Sequence, residues 1–168
     1  MRRYQGQIMG EIYTDIPQFA QATGAHTPLA GLDLGTKTLG VAVSDVMQSV
    51  ATPLETIKRT KFTADAQALL AICDKRQIGG LILGLPLNMD GSDGPRVQST
   101  QAFARNLARL TPLPIAFWDE RLSTVAAERA LLEADTSRKR RGEVIDHVAA
   151  GFILQGALDR LAHIRRDA

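Results

Sequence analysis

One cysteine in 168 residues, Cys73, leaves no internal disulfide to form and no cysteine cluster to hold a metal. The three histidines, His26, His147 and His163, are scattered without ligand spacing, so a structural zinc site has nothing to be built from. Both features fit a cytoplasmic protein. No apolar run approaches the roughly 20 residues that cross a bilayer, and Arg2 and Arg3 are not followed by the apolar core of an export signal. Internal repeats and low-complexity tracts are missing too. Net charge is small, formally +2. An excess that mild permits nucleic-acid binding without requiring it, and the placement of basic clusters matters more than the total.

What is present is ordinary globular composition, 45% hydrophobic and 23% charged, at a length that suits one domain around one core. Residues 1–27 show no sustained periodicity and read as an N-terminal extension, with a short helix near Ile16 to Ala22. The domain proper is expected over residues 28–168. Leu29 to Leu34 and Leu39 to Ser44 are apolar runs joined by Gly35-Thr36-Lys37-Thr38, the pattern of a β-hairpin. A third extended run, Ala51 to Lys58, contains Pro53 and so reads as an edge strand. The period then becomes helical from a cap at Thr63 to about Lys75, with Ala66, Leu69, Leu70 and Cys73 facing inward. Ile78 to Leu85 has the composition of a strand buried on both faces. After the turn-rich loop from Pro86 to Pro95, a helix is expected from Val97 to Leu110, with Val97, Phe103, Leu107 and Leu110 inward. A strand at Ile115 to Trp118 follows. Ser123 or Thr124 would cap a helix to about Ala134, and a last helix covers Val144 to Leu161. The order βββαβαβαα implies an α/β fold with a five-stranded mixed sheet flanked by helices.

Three acids stand out against this framework. Strand alternation puts Asp33 on one face with Gly31 and Gly35, and Ala30, Leu32 and Leu34 on the other. Its own face therefore carries no neighbouring bulk and leaves room for an ion or a backbone. The competing reading is a buried carboxylate satisfied by backbone donors or a nearby cation. Asp119 and Glu120 end the last strand, where sites of open α/β sheets collect. Only one of them can face Asp33. Glu120 is preferred, although spacing alone does not choose between them, and pairing with Arg121 is the structural alternative. Asp146 heads a stripe of Ala149, Ala150, Ile153 and Ala157 that should pack on the sheet, or else it serves only the helix dipole. Three such acids converging at one end of the sheet would repel one another without a cation. Oxygen-only ligands favour magnesium or manganese, ions that activate water and offset charge on a phosphodiester.

Four blocks of this sequence resemble the YqgF/RuvX family, Holliday junction resolvases also described as nucleases that process the 5′ end of precursor 16S ribosomal RNA. They are GLDLGTKTLGVAVSD from Gly31, GLPLNMDGSDGPR from Gly84, DERLSTVAAERALL from Asp119 and RKRRGEVIDHVAAGFILQGAL from Arg138. They cover most of residues 31–161 in order. The resemblance implies a ribonuclease-H-like fold, a divalent-metal nuclease site and a role in ribosome biogenesis. Carried residue by residue, its three metal-binding and catalytic acids are Asp33, Glu120 and Asp146. Better-characterised resolvases of this fold place an acid at the end of the fourth strand, where this chain has Gly84-Leu85-Pro86, so that role would fall to the DER segment. The resemblance also gives the basic residues a use. Lys37, Arg121 and the run Arg138, Lys139, Arg140 and Arg141 would contact phosphates and position a strand without reading it. Each has a plain counterpart, as a hairpin turn, a surface ion pair or a solvated face.

The leading reading is thus a metal-dependent endonuclease on structured RNA, a ribosomal RNA precursor or pre-ribosome, working as a monomer or homodimer away from membranes. A resolvase acting on branched, four-way DNA shares the same chemistry. Two non-nuclease readings compete. The DxG turn also resembles the phosphate loop of actin-like and sugar-kinase folds, which would need a second lobe. A non-cutting pre-ribosome scaffold would be marked by loss of an acid, and all three are present.

Overall fold

The computed structural model describes residues 9–123, 125–135 and 138–167, with the side chains at 126, 129, 132, 133, 135 and 138–145 outside that description. The expected hairpin forms from β2 (Leu29–Leu34) and β3 (Thr38–Ser44), and β4 (Ala51–Lys58) completes an antiparallel meander. Beyond β2 the sheet continues in parallel with β5 (Gly80–Leu85) and then β6 (Ile115–Asp119). A sixth strand, β1 (Ile12–Tyr13), pairs in parallel with β6, giving the order β1-β6-β5-β2-β3-β4. The five-stranded expectation is corrected here. Two residues cannot show an alternation, so β1 has no signature in the sequence.

Ahead of residue 28, residues 12–23 pack on the same sheet. In α1 (Ile16–Thr23), Asp15 caps the first turn by accepting from the Gln18 amide at 2.8 Å, and Phe19 is fully buried. The helix ends at Gly24 with φ +76°, a conformation glycine adopts without a Cβ penalty.

Alternation along the strands divides the core in two. Ala30, Leu32, Leu34, Leu39, Val41, Val43, Leu81, Leu83 and Ile115 face α2 (Phe62–Arg76) and α3 (Pro95–Ala108). Leu29, Ala42, Ile82, Ala116 and Trp118 face α1 and the long α5 (Arg138–Arg166). Three helix details differ from expectation. Thr63 lies inside α2, whose N-cap is Lys61, while Asp65 accepts from the Thr60 amide at 3.0 Å. Leu110 falls beyond α3 and is exposed. The basic run from Arg138 to Arg141 belongs to α5 rather than to a loop, because Lys and Arg are good helix formers as well as good solvators. The side chains of that run lie outside the described residues. A 3-10 turn at Glu120–Leu122 precedes α4 (Val125–Asp135). Ser123 Oγ accepts from the Val125 amide at 3.4 Å, and the alternative cap, Thr124, is outside the described residues. Among the described residues no helix is long and apolar enough to cross a membrane.

Candidate active site

Three glycines let α5 lie unusually close to the sheet. A Cβ at Gly31 would stand 2.5 Å from Leu154 Cβ, one at Gly40 2.0 Å from the Asp146 carbonyl oxygen, and one at Gly84 2.4 Å from Ile153 Cδ1. All three open toward α5, which places Asp33 on that same face by alternation. Asp33 pairs with Gly40 across the hairpin, and the pairing of Leu32 with Leu83 sets it beside Gly84 on β5. A carboxylate only 5% exposed therefore sits in a trough whose neighbours on both adjacent strands have no side chains. The glycine-lined face expected for Asp33 is present, and two of its glycines come from other strands.

The other two acids meet this trough from opposite sides. Asp146 enters from α5, with its backbone carbonyl directly over Gly40 and its carboxylate on the Thr38 hydroxyl. Glu120 enters from the 3-10 turn after β6, with Oε1 3.2 Å from the Cβ that Gly84 lacks. Because β2, β5 and β6 run parallel, the site lies at their carboxyl ends, the usual location in open α/β sheets. Asp119 is not part of the group. As the residue after Trp118 it faces away from α5, and its carboxylate takes Arg121 Nη2 at 2.7 Å and Nε at 3.0 Å. That pairing holds the Asp119 carboxyl below the usual carboxylate range, with the Arg121 side-chain hydrogen bonds as the largest cause.

Arg121 is thus engaged. Besides Asp119 it reaches the Met89 carbonyl at 3.4 Å and packs under Gly91, whose φ of +85° turns the loop. The loop is bonded internally, with Asp90 accepting from the Ser92 amide at 2.8 Å and Asn88 donating to Ser92 Oγ at 3.0 Å. Lys37 is exposed at the hairpin tip. Trp118 on β6 is core at 6% exposure, its ring edge against Gly156 and its Nε1 without a hydrogen-bond partner among the described residues.

Two residues near the trough had only a faint sequence signal. Thr38 Oγ1 donates to Asp146 Oδ2 at 2.6 Å, from a position that the sequence alone places in the hairpin turn. Arg59, one member of a cluster that looks like solvated surface, donates from Nη1 to the Gly35 carbonyl at 2.5 Å and from its amide to Lys37 at 2.9 Å. It braces the tip of the hairpin. Its signal was position, since it directly follows the strand that pairs with the hairpin.

The three acids offer oxygens only, a donor chemistry that fits a hard divalent cation, while the space over the glycines is taken by α5. Among the described residues, no three of His, Cys, Asp and Glu are gathered closely enough to hold one. The acids surround the trough without closing on a common point.

A mixed sheet with its parallel strands ending at these acids, crossed by a long C-terminal helix, is a ribonuclease-H-like α/β fold. Thermus thermophilus RuvC in complex with Holliday junction substrate superposes with a TM-score of 0.52 over 80% of this chain and 96% of that one. Identity is 13%, so that likeness speaks for the fold alone. Residues 27–160 match the family model RuvX, described as Holliday junction resolvase, and the chain belongs to that family. A Paracoccus denitrificans protein is 71% identical over 92% of this chain and 98% of its own length, and one from Rhodobacter capsulatus is 70% identical over 88% and 93%. Both carry the name "Putative pre-16S rRNA nuclease".

Proposed function

We propose that this chain is a metal-dependent endonuclease that trims the 5′ end of precursor 16S ribosomal RNA during ribosome biogenesis in the cytoplasm. The observation that carries the reading is the trough: Asp33 between Gly40 and Gly84, with the Asp146 backbone over one glycine, its carboxylate on nearby Thr38, and the Glu120 carboxylate over the other glycine. The names of the close relatives supply the RNA substrate.

Asp33, Glu120 and Asp146 would hold magnesium or manganese. When bound, such an ion supplies water activation and offsets the charge that builds on the scissile phosphate. The chain's own contribution is placement. Asp33 is fixed by the sheet, Asp146 by α5, and the glycines let α5, and Asp146 with it, come down onto the strands. Lys37 at the hairpin tip, with Arg138, Lys139, Arg140 and Arg141 opening α5, would neutralise flanking phosphates and set the strand's register. Arg121 would act through the loop it holds rather than as a free cation.

The test compares the purified parent with Asp33→Asn on two substrates, a precursor RNA spanning the 5′ end of 16S RNA and a four-way DNA junction, with Mg2+, with Mn2+ and with chelator. RNA should be cut only with metal, and the variant should lose at least about 100-fold in rate while keeping its fold. A variant as fast as the parent would sink the site. Cleavage of the junction with RNA left intact would move the substrate to branched DNA, the activity in the family's description.

A further inference from the structure

Asp146 is held by more than its helix. Gly40 admits its backbone, since any side chain there would collide with the Asp146 carbonyl. Two residues earlier on the same strand and face, the Thr38 hydroxyl donates to Asp146 Oδ2 at 2.6 Å in a half-buried position. One residue further along α5, His147 Nδ1 lies 2.9 Å from Thr56 Oγ1 on β4. The helix is therefore docked on β3 and β4 by two threonines, and Thr38 reaches an acid of the trough. No other group among the described residues engages the Asp146 carboxylate.

We infer that Thr38 is the positioning residue for Asp146: its hydroxyl fixes the carboxylate's rotation, committing Oδ2 to the hydrogen bond and leaving Oδ1 for a divalent cation. The inference rests on the metal-site reading above. A carboxylate with two free oxygens rotates among several orientations, and a donor on one of them removes that freedom before an ion arrives. The hydroxyl is well placed to do this because it sits on a strand rather than in the turn. The Gly35 amide bonds the Thr38 carbonyl at 2.8 Å, and Arg59 braces Gly35, so the backbone that carries the hydroxyl is itself fixed.

The experiment is a direct titration of the full-length protein with Mn2+ by calorimetry, with no nucleic acid present. Parent, Thr38→Val, Thr38→Ser, Asp33→Asn and Asp146→Asn are compared, with thermal melts to confirm folding. Thr38→Val should weaken Mn2+ by about 10–100-fold, and Thr38→Ser, which keeps the hydroxyl, should restore affinity to near that of the parent. In an Asp146→Asn background, Thr38→Val should have no further effect, which a merely structural role for the threonine would not produce. A folded Thr38→Val protein with parental affinity overturns the inference. If that variant does not fold, Thr38→Ala takes its place under the same criterion. Should Asp33→Asn and Asp146→Asn both leave Mn2+ affinity unchanged, the metal-site reading fails and the Thr38 inference with it. Loss in the acid variants with none in the Thr38 variants removes the Thr38 inference alone.

Discussion

At the scale of single residues, the spacing between α5 and the sheet depends on what is missing at Gly40. An alanine there would place its Cβ 2.0 Å from the Asp146 carbonyl oxygen, a backbone atom that cannot rotate aside. The helix would have to lift, and overpacking of this kind costs about 1–3 kcal/mol. Gly40→Ala should therefore lower the melting temperature, and it should also weaken the Thr38–Asp146 bond, because the lift separates the two residues. Thermal melts and the Mn2+ titration read these two effects independently; an unchanged melt would show that the gap is wider than the structure has it. The same scale shows what could be read without coordinates. The open face of Asp33 followed from alternation alone, since Gly31 and Gly35 flank it in the chain. The contribution of Gly40 and Gly84 did not, because register between strands separates residues that sequence spacing cannot bring together. Thr38 was hidden for the same reason. Its partner is 108 residues away.

Among the elements, the 3-10 turn after β6 decides which of two adjacent acids meets the trough. Strand alternation permits one of Asp119 and Glu120 to face α5, but only the turn's geometry sends Glu120 over Gly84 and Asp119 toward Arg121. Asp119 caps that turn by accepting from the Arg121 amide at 2.9 Å, and the paired Arg121 side chain ties the turn to Met89 in the loop after β5. Arg121 holds the Asp119 carboxyl below its ordinary value, so this contribution is complete above about pH 4, the unfolded carboxylate value. It is lost as pH falls through the lower folded value. In Arg121→Gln the Asp119 carboxyl should titrate nearer its ordinary range, measured by carboxyl carbon NMR. Asp90 gives an internal control. It too is lowered, but Ser92 is the first cause and Arg121 the last, so it should move less. Equal movement of both, or of neither, would contradict the assignment of the pairing. The helix α5 taught a different lesson. Its apolar stripe of Ala149, Ala150, Ile153 and Ala157 was legible and all four are fully buried, whereas its start was not, since a basic run carries no periodicity to mark it.

For the whole molecule, α5 joins the site to the far end of the chain. Near its last turn Arg165 Nη2 donates to the Gly24 carbonyl at 2.8 Å and Nη1 to Gln48 Oε1, while Gln48 donates to Gly24 and Thr27 carbonyls at 3.0 and 2.8 Å. Three segments distant in sequence, the end of α1, the β3–β4 turn and the end of α5, thereby share one network. Gln48 sits in it at φ +57°, a conformation the network stabilises against its cost. Arg165→Ala should cost about 1 kcal/mol, a drop of roughly 2–4 °C in melting temperature, through the loss of its hydrogen bonds to the Gly24 carbonyl and to Gln48. A melt within a degree of the parent would show the network to be dispensable. The order of elements was readable because each long segment keeps one period, and the sheet's mixed sense followed from a meander ahead of alternating helices and strands. What escaped was the outermost strand, β1.

The two margins of the sheet share one further property. One is β1, only two residues long, and the other is β4, where Pro53 has no amide hydrogen to offer and the ladder slips between Val41 and Ala42. Gly151 of α5 also brings its backbone against the Pro53 ring, within 3.1 Å of where its Cβ would be. A foreign strand arriving at either margin finds no straight row of donors and acceptors to extend. The fold is therefore guarded against growing by strand addition, and whatever docks on it, nucleic acid or a second copy, is directed to its helices, its loops and the open ends of its strands.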